Sequence, residues 1–474
     1  MFPKSTNLIL AIFGVKTIRD VLRGFLKSDL SGILGIHADY LLDILKNKNY
    51  PTSIDYRYSY YELEKSKNVE LKKSLILPDY IDHGGFASLT SMLSIYERFR
   101  SGNINKPSPI EHLETGNNFP YVMNCIYNSV VASGVEDPIE VMKTNIVSLL
   151  AQYYHDMKLL VNSFHPSRVY ALLHQRIVDA ETLISDGAPI TDIVERVAFI
   201  DPSSGWGCRL SAALVIHVYL RDLIIESGNY SESSIEDFKN SLCYVGFDTN
   251  TEMAPIYRKV VDLFSIRYGI NSEIVKFHMI DYTSNAASTR LKEYSHINVY
   301  LTSSPTLLEF YPRYDNILTS HSIIKNKYGW DCRKWKNWVD GFLVDGIYVQ
   351  SCRNTKFDGK NPKLMFNVID NCRIPCTDGK SRLIPLTDHL ITKLNASSLF
   401  KQTQLLHFTW EDIAPIADCP KCKANGAIDC GECANCNRKY KKIGCTQRKN
   451  ACDTCCKSAS LRTVVCTEFV NPNV

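Results

Sequence analysis

Asp201-Pro-Ser-Ser-Gly-Trp-Gly-Cys208-Arg-Leu is the segment of this 474-residue chain whose residue types most directly suggest chemistry. A thiol at the start of a helix is pushed toward thiolate, because the unpaired backbone N–H groups there favour negative charge. A glycine-rich entry leaves the sulfur accessible. Cys208 is therefore a candidate nucleophile. A nucleophile needs a base, and the base needs a group to orient it. The nearest such pair downstream is Asp388-His389, in a helix-like context. The plainer reading is a helix start with a buried tryptophan and an inert or disulfide-bonded cysteine.

The C-terminus holds the other concentration of reactive side chains. Of 17 cysteines, ten lie in the tail: Cys419, Cys422, Cys430, Cys433, Cys436, Cys445, Cys452, Cys455, Cys456 and Cys466. Cys419, Cys422, Cys430 and Cys433 form two CxxC pairs that could make a four-thiolate zinc site. Cys436, Cys445, Cys452 and Cys455 could make a second. The adjacent Cys455 and Cys456 and the lone Cys466 leave sulfurs unused by that scheme. A disulfide framework uses them better, stapling a segment that lacks a core. The odd total leaves one sulfur for another chain or a small molecule. The expectation is disulfides and no cofactor, with zinc as the alternative.

Tyrosines cluster at Tyr56, Tyr58, Tyr60 and Tyr61 and again at Tyr311 and Tyr314. A phenol joins a large apolar face to a polar tip, which suits protein interfaces. Arg438, Lys439, Lys441 and Lys442 make a small basic cluster around Tyr440, read as a solvated turn. No phosphate-binding glycine loop stands out; Gly102, Gly116 and Gly205 read as isolated. His37, His155, His174 and His217 fall in helix-like segments and read as structural.

The elements that would position these groups are mostly helices. Asp137-Pro138 is a cap followed by proline at the first helical position. The apolar spacing predicts a helix after it, and others over 167–185, 190–199, 208–226, 234–244 and 251–268. After Gly269 short β-prone runs appear at 274–280, 297–301, 342–349 and 364–369. The fold class expected is predominantly α-helical, with a minor β portion at about 270–370 and a Cys-rich, irregular C-terminal tail. Three units follow: a mainly helical body over 1–270, a mixed α/β portion over 271–417, and a Cys-rich basic tail over 418–474. A net charge of +4, from 54 basic and 50 acidic residues, is no footprint of general nucleic-acid binding. The apolar run at 7–15 is too short to cross a bilayer and reads as part of an N-terminal helix.

The Gly-Trp-Gly-Cys208 segment resembles the nucleophile motif of autophagin-type cysteine proteases. Those pair the cysteine with an Asp-Pro-His segment, which is missing downstream here. In general character, through the tyrosine clusters and the cysteine run 419–466, the whole chain resembles viral occlusion-body proteins (polyhedrins) of the nudivirus type. That resemblance implies a non-catalytic structural protein. It would self-assemble into a crystalline lattice of many copies, linked by intermolecular disulfides. It would encase virions in bodies formed inside infected cells, in the nucleus, and would dissolve at alkaline pH. It implies no small-molecule substrate, no specific nucleic acid and no membrane. The alternatives are a cysteine protease using Cys208 and an interaction protein using a zinc-bound tail.

Overall fold

The computed structural model describes residues 17–27, 31–48, 93–102, 107–116, 118–156, 166–297 and 299–303. It adds short pieces at 311–312, 341, 345–347 and 350–351. It also gives strand backbone at 363–369, 372–375, 381–384, 401–409, 432–433, 438–439 and 463–470. The protein is predominantly helical with a smaller β portion, as the periodicity predicts.

The β portion is organised by one sheet. In chain order its strands are β1 (Phe199–Asp201), β2 (Tyr244–Phe247), β3 (Val275–His278), β4 (Val299–Ser303), β5 (Lys363–Ile369), β6 (Lys401–Thr409) and β7 (Thr463–Val470). In space they run β6-β7-β5-β4-β1-β2-β3. The pairs β1–β2, β2–β3, β1–β4 and β4–β5 are all parallel. Strand β7 is reversed, antiparallel to both β5 and β6. The sheet draws strands from the helical body, from the mixed portion and from the tail.

Two of these strands lie before residue 270, where the spacing predicts helix ends. Every residue of β1 and β2 is buried. Strands covered on both faces read as continuous apolar runs, and so short a run has no period to separate it from a helix. Helices alternate with the strands: α1 (Ser31–Lys46), α2 (Ile190–Val197), α3 (Cys208–Ser227), α4 (Glu232–Lys239), α5 (Ala254–Tyr268) and α6 (Asn285–Leu291). Parallel neighbours require such crossovers. Helices α3 and α4 link β1 to β2, α5 links β2 to β3, and α6 links β3 to β4.

Helix α3 is the axis of the molecule. Its residues from Cys208 to Leu220 are all buried, and a helix apolar all round belongs in a core. It packs against α1, α5 and the helices Pro166–Leu172 and His174–Ser185. Helix α1 is tied to α5 by Asp39, whose carboxylate accepts from Arg267 and, at 2.6 Å, from the Tyr268 hydroxyl.

His217 sits in the middle of α3, 3% exposed. Its ring stacks on Phe238 with centroids 4.6 Å apart and planes 10° from parallel. Burial, with Arg221 nearby, lowers its pKa to about 3. The unfolded chain therefore takes up a proton near pH 6.5 that the folded chain refuses. Stability contributed by the neutral ring is present above pH 6.5 and lost as pH falls toward 3. Urea midpoints of His217→Phe are expected to fall less between pH 7 and pH 4 than those of the wild type.

Candidate functional site

In an open parallel sheet, ligands bind outside the carboxyl ends of the strands, where the strand order reverses. Here that point lies between β1 and β4. The chain leaves β1, runs to β2 and β3 on one side, then returns to β4 and β5 on the other. The segment that leaves β1 is 202–207, the one whose composition suggests chemistry. Gly205 and Gly207 both have positive φ, +58° and +79°. Left-handed backbone carries little penalty only for glycine. The pair builds a tight turn into α3, with Gly207 at the N-cap position.

Strand β2 holds this turn from the side. The Ser204 N–H donates to the Phe247 carbonyl at 2.9 Å. The Gly205 N–H donates to Asp248 Oδ2 at 2.8 Å. Asp248 follows β2 directly, and its other oxygen accepts the Asn250 N–H at 2.8 Å. The Tyr257 hydroxyl, from α5, reaches the Gly205 carbonyl at 2.5 Å and Asp248 Oδ2 at 3.3 Å. Burial pushes the Asp248 carboxyl up to about 6, although the Asn250 and Gly205 N–H groups and the Tyr257 hydroxyl pull it down.

Beneath the turn lies a closed polar network. Asp201 Oδ2 accepts from Arg209 Nε at 2.7 Å and from the Tyr244 hydroxyl at 3.0 Å. Its Oδ1 accepts from the Ser203 N–H and the Thr302 hydroxyl, both at 3.2 Å. Arg209 also donates to the Ser203 carbonyl. Burial opposes the guanidinium charge, but attraction to Asp201 outweighs it and holds the Arg209 pKa above the ordinary range. Strands β1, β2 and β4 and the turn are thus fixed relative to one another. One strand further out, Asp281 caps the loop after β3, accepting the Thr283 N–H at 2.9 Å and its hydroxyl at 2.8 Å on Oδ1.

The edge has acceptors to offer a ligand. Asp248 Oδ1 takes one N–H and has room for a second donor. Asp281 Oδ2 has no donor among the described residues. Among the described residues, a side chain added at Gly205 would meet nothing nearer than the Ser203 carbonyl at 3.8 Å, so they leave this face of the turn open. The helix start is the opposite case. Cys208 and Arg209 are 2% and 4% exposed. Fully buried Arg98 lies close enough to sense the Cys208 charge, and burial lowers its pKa to about 10.

This placement corrects the reading of Cys208 as an accessible nucleophile. The thiol is in the core, and the glycines before it shape a tight turn instead of uncovering a sulfur. Among the described histidines, His112 bonds the Tyr154 hydroxyl, His278 bonds the Tyr294 hydroxyl, and His217 stacks on Phe238. His389 lies outside the described residues. Gly205, read as isolated, is half of a pair. Asp248 and Asp281 were not singled out; the pointer to Asp248 was an apolar run ending in Gly-Phe-Asp just before a helix.

Of the tail cysteines, Cys433 and Cys466 are on strand backbones, in Glu432–Cys433 and β7. The other eight lie outside the described residues, as do Tyr56, Tyr58, Tyr60, Tyr61 and Tyr314. Tyr311 lies in a two-residue strand paired with Ser101–Gly102. Cys125 and Cys243 are free thiols. Among the described residues no cluster of three or more His, Cys, Asp or Glu is arranged to hold a metal, and no helix is long and apolar enough to cross a membrane.

No protein-family model matches this chain, and no curated protein matches it. Three solved structures are similar. One is the Type IIL restriction-modification enzyme MmeI in complex with DNA, at 11% identity and a TM-score of 0.36, covering 92% of this chain and 57% of that one. Another is a nuclease-deletion mutant of the Type ISP restriction-modification enzyme LlaGI in complex with a DNA substrate mimic. It has 13% identity and a TM-score of 0.30, covering 95% of this chain and 40% of that one. The third is the ATP-dependent Type ISP restriction-modification enzyme LlaBIII bound to DNA, at 12% identity and a TM-score of 0.29, covering 95% and 29%. The chain thus spans less than two thirds of each of these proteins.

The occlusion-body expectation is corrected: none of these comparisons is with a lattice protein, and nothing in them supports that role. The large described tyrosines Tyr40, Tyr154, Tyr170, Tyr244, Tyr257 and Tyr300 are fully buried, and Tyr244 and Tyr257 build the site. Those phenols serve the interior of the chain, whereas Tyr56, Tyr58, Tyr60, Tyr61 and Tyr314, the tyrosines expected at interfaces, lie outside the described residues.

Proposed function

We propose that this chain is a methyltransferase that binds S-adenosylmethionine at the carboxyl edge of β1, β2 and β3. The observation that carries the reading is the strand order. Five parallel strands in doubly wound order are followed by a reversed strand, β7, inserted between β5 and β6. This is the arrangement of the adenosylmethionine-dependent methyltransferase class, and the inference is by analogy of fold. The site residues fit such a cofactor. The open face at Gly205 admits close approach, the acceptor left on Asp248 suits ribose hydroxyls, and Asp281 suits an amino group of the base.

A dinucleotide fits less well. Its pyrophosphate needs an open helix N-terminus, and its fingerprint places a third glycine inside the helix. Here the helix start is buried, and the third position is Leu210, 0% exposed. Bound S-adenosylmethionine would supply an electrophilic methyl group. The chain would supply the turn and the acceptors. This reading replaces the expectation of a non-catalytic chain without a cofactor.

Equilibrium dialysis of the full chain against labelled S-adenosylmethionine tests it. Saturable binding is expected, displaced by S-adenosylhomocysteine and not by NADH, and much weakened in Asp248→Ala. A folded wild-type chain that binds NADH instead, or neither ligand, overturns the reading. Labelled methyl transfer to pools of nucleic acid, protein and small molecules then identifies the acceptor class.

A further inference from the structure

Tyr257 does more than fill the core. Its ring is 1% exposed and stacked on Phe277, centroids 4.9 Å apart and planes 27° from parallel, so the hydroxyl has little freedom. That hydroxyl lies 2.5 Å from the Gly205 carbonyl and 3.3 Å from Asp248 Oδ2, and its one proton is shared between them. Oδ2 also takes the Gly205 N–H. One side chain therefore grips the glycine turn and the carboxylate together.

We infer that Tyr257 is a positioning residue, which fixes Asp248 Oδ2 to the glycine turn so that Oδ1 is left as the ligand's acceptor. The inference rests on the cofactor reading above. It has a consequence in pH. Protonating Oδ2 removes the acceptor of the Gly205 N–H and loosens the turn at the moment the ligand loses its carboxylate. The groups facing Asp248 are Tyr257 from α5, Asp201 from the end of β1, the N–H groups of Gly205 and Asn250, and the β3 backbone at His278, whose carbonyl accepts the Asp248 N–H. Asp201 raises the Asp248 pKa, and the three donors lower it. Removing the Tyr257 donor raises it further.

The test is S-adenosylmethionine binding by the full chain between pH 5 and 8.5, for wild type, Tyr257→Phe and Asp248→Asn. Wild-type affinity should fall as pH drops through about 6. Tyr257→Phe should bind about tenfold more weakly at pH 7.5, the loss of one hydrogen bond to a charged group, and its acid-side fall should begin at higher pH. Asp248→Asn should bind weakly with a flat profile. A Tyr257→Phe chain with uniformly weaker binding and an unmoved pH profile marks a merely structural residue and overturns the inference. So does an Asp248→Asn chain that keeps the wild-type fall, and this second variant decides the matter if Tyr257→Phe does not fold. A wild-type chain that binds no nucleoside at any pH overturns the cofactor reading as well.

Discussion

Replacing Arg209 with methionine is expected to cost the fold about 3–5 kcal/mol at neutral pH, the usual penalty for stranding one charge of a buried ion pair. Asp201 is 0% exposed and Arg209 4% exposed. The carboxylate would keep the Tyr244 and Thr302 hydroxyls and the Ser203 N–H, but no balancing charge. Urea denaturation of Arg209→Met checks the figure. Adding Asp201→Asn to that variant should restore part of the loss, since it removes the stranded charge. A penalty below about 1 kcal/mol, or no recovery in the double variant, would mean that the pair contributes little. Attractive pairs of this kind couple strongly only when buried and in contact.

The other large effect is expected at Gly246. A Cβ there would clash with Ser204 Oγ and lie 2.7 Å from Tyr244 Cε1. Neither neighbour can swing away cheaply, because the Tyr244 hydroxyl donates to Asp201 Oδ2 and is also hydrogen-bonded to the Ser204 hydroxyl, both at 3.0 Å. Gly246→Ala should cost about 1–3 kcal/mol of stability through overpacking. It should also displace the turn and remove most of the cofactor affinity. Gly228→Ala is the control. Gly228 closes α3 at φ +67° with nothing within 4 Å of the added carbon. It should cost about 1 kcal/mol for left-handed backbone and leave binding unchanged. Equal losses of affinity in the two variants would separate the turn from the site.

The helices were legible because their chemistry is local. Asp137 caps the helix that begins at Pro138, its Oδ1 accepting from the N–H groups of Ile139 and Glu140, as the Asp-Pro pair predicts. Helix α3 was legible as a helix but not as the buried axis. The strands β1 and β2 were not legible, since three or four buried residues carry no period. The site was missed for a related reason. The Gly205–Gly207 pair was read through the cysteine behind it, and Asp248 becomes its partner only across 43 residues of chain. The cysteine-rich tail drew attention by the number and spacing of its cysteines, whereas its described contribution to the sheet is the strand Thr463–Val470.

That strand has a consequence for how the protein is made. Strand β7 is the last in synthesis and interior in space, pairing Val464 with Ile369 on one side and Val465 with His407 on the other. During translation β5 and β6 therefore emerge with a vacancy between them, and each presents an unsatisfied edge open to wrong partners. Strand pairing over long sequence separation is also slow, because chain must be gathered before any contact repays it. The edge formed by β1, β2 and β3 is complete at His278, well before Thr463 is made. Synthesis order thus lets that half of the sheet form first and leaves the far half waiting for its central strand.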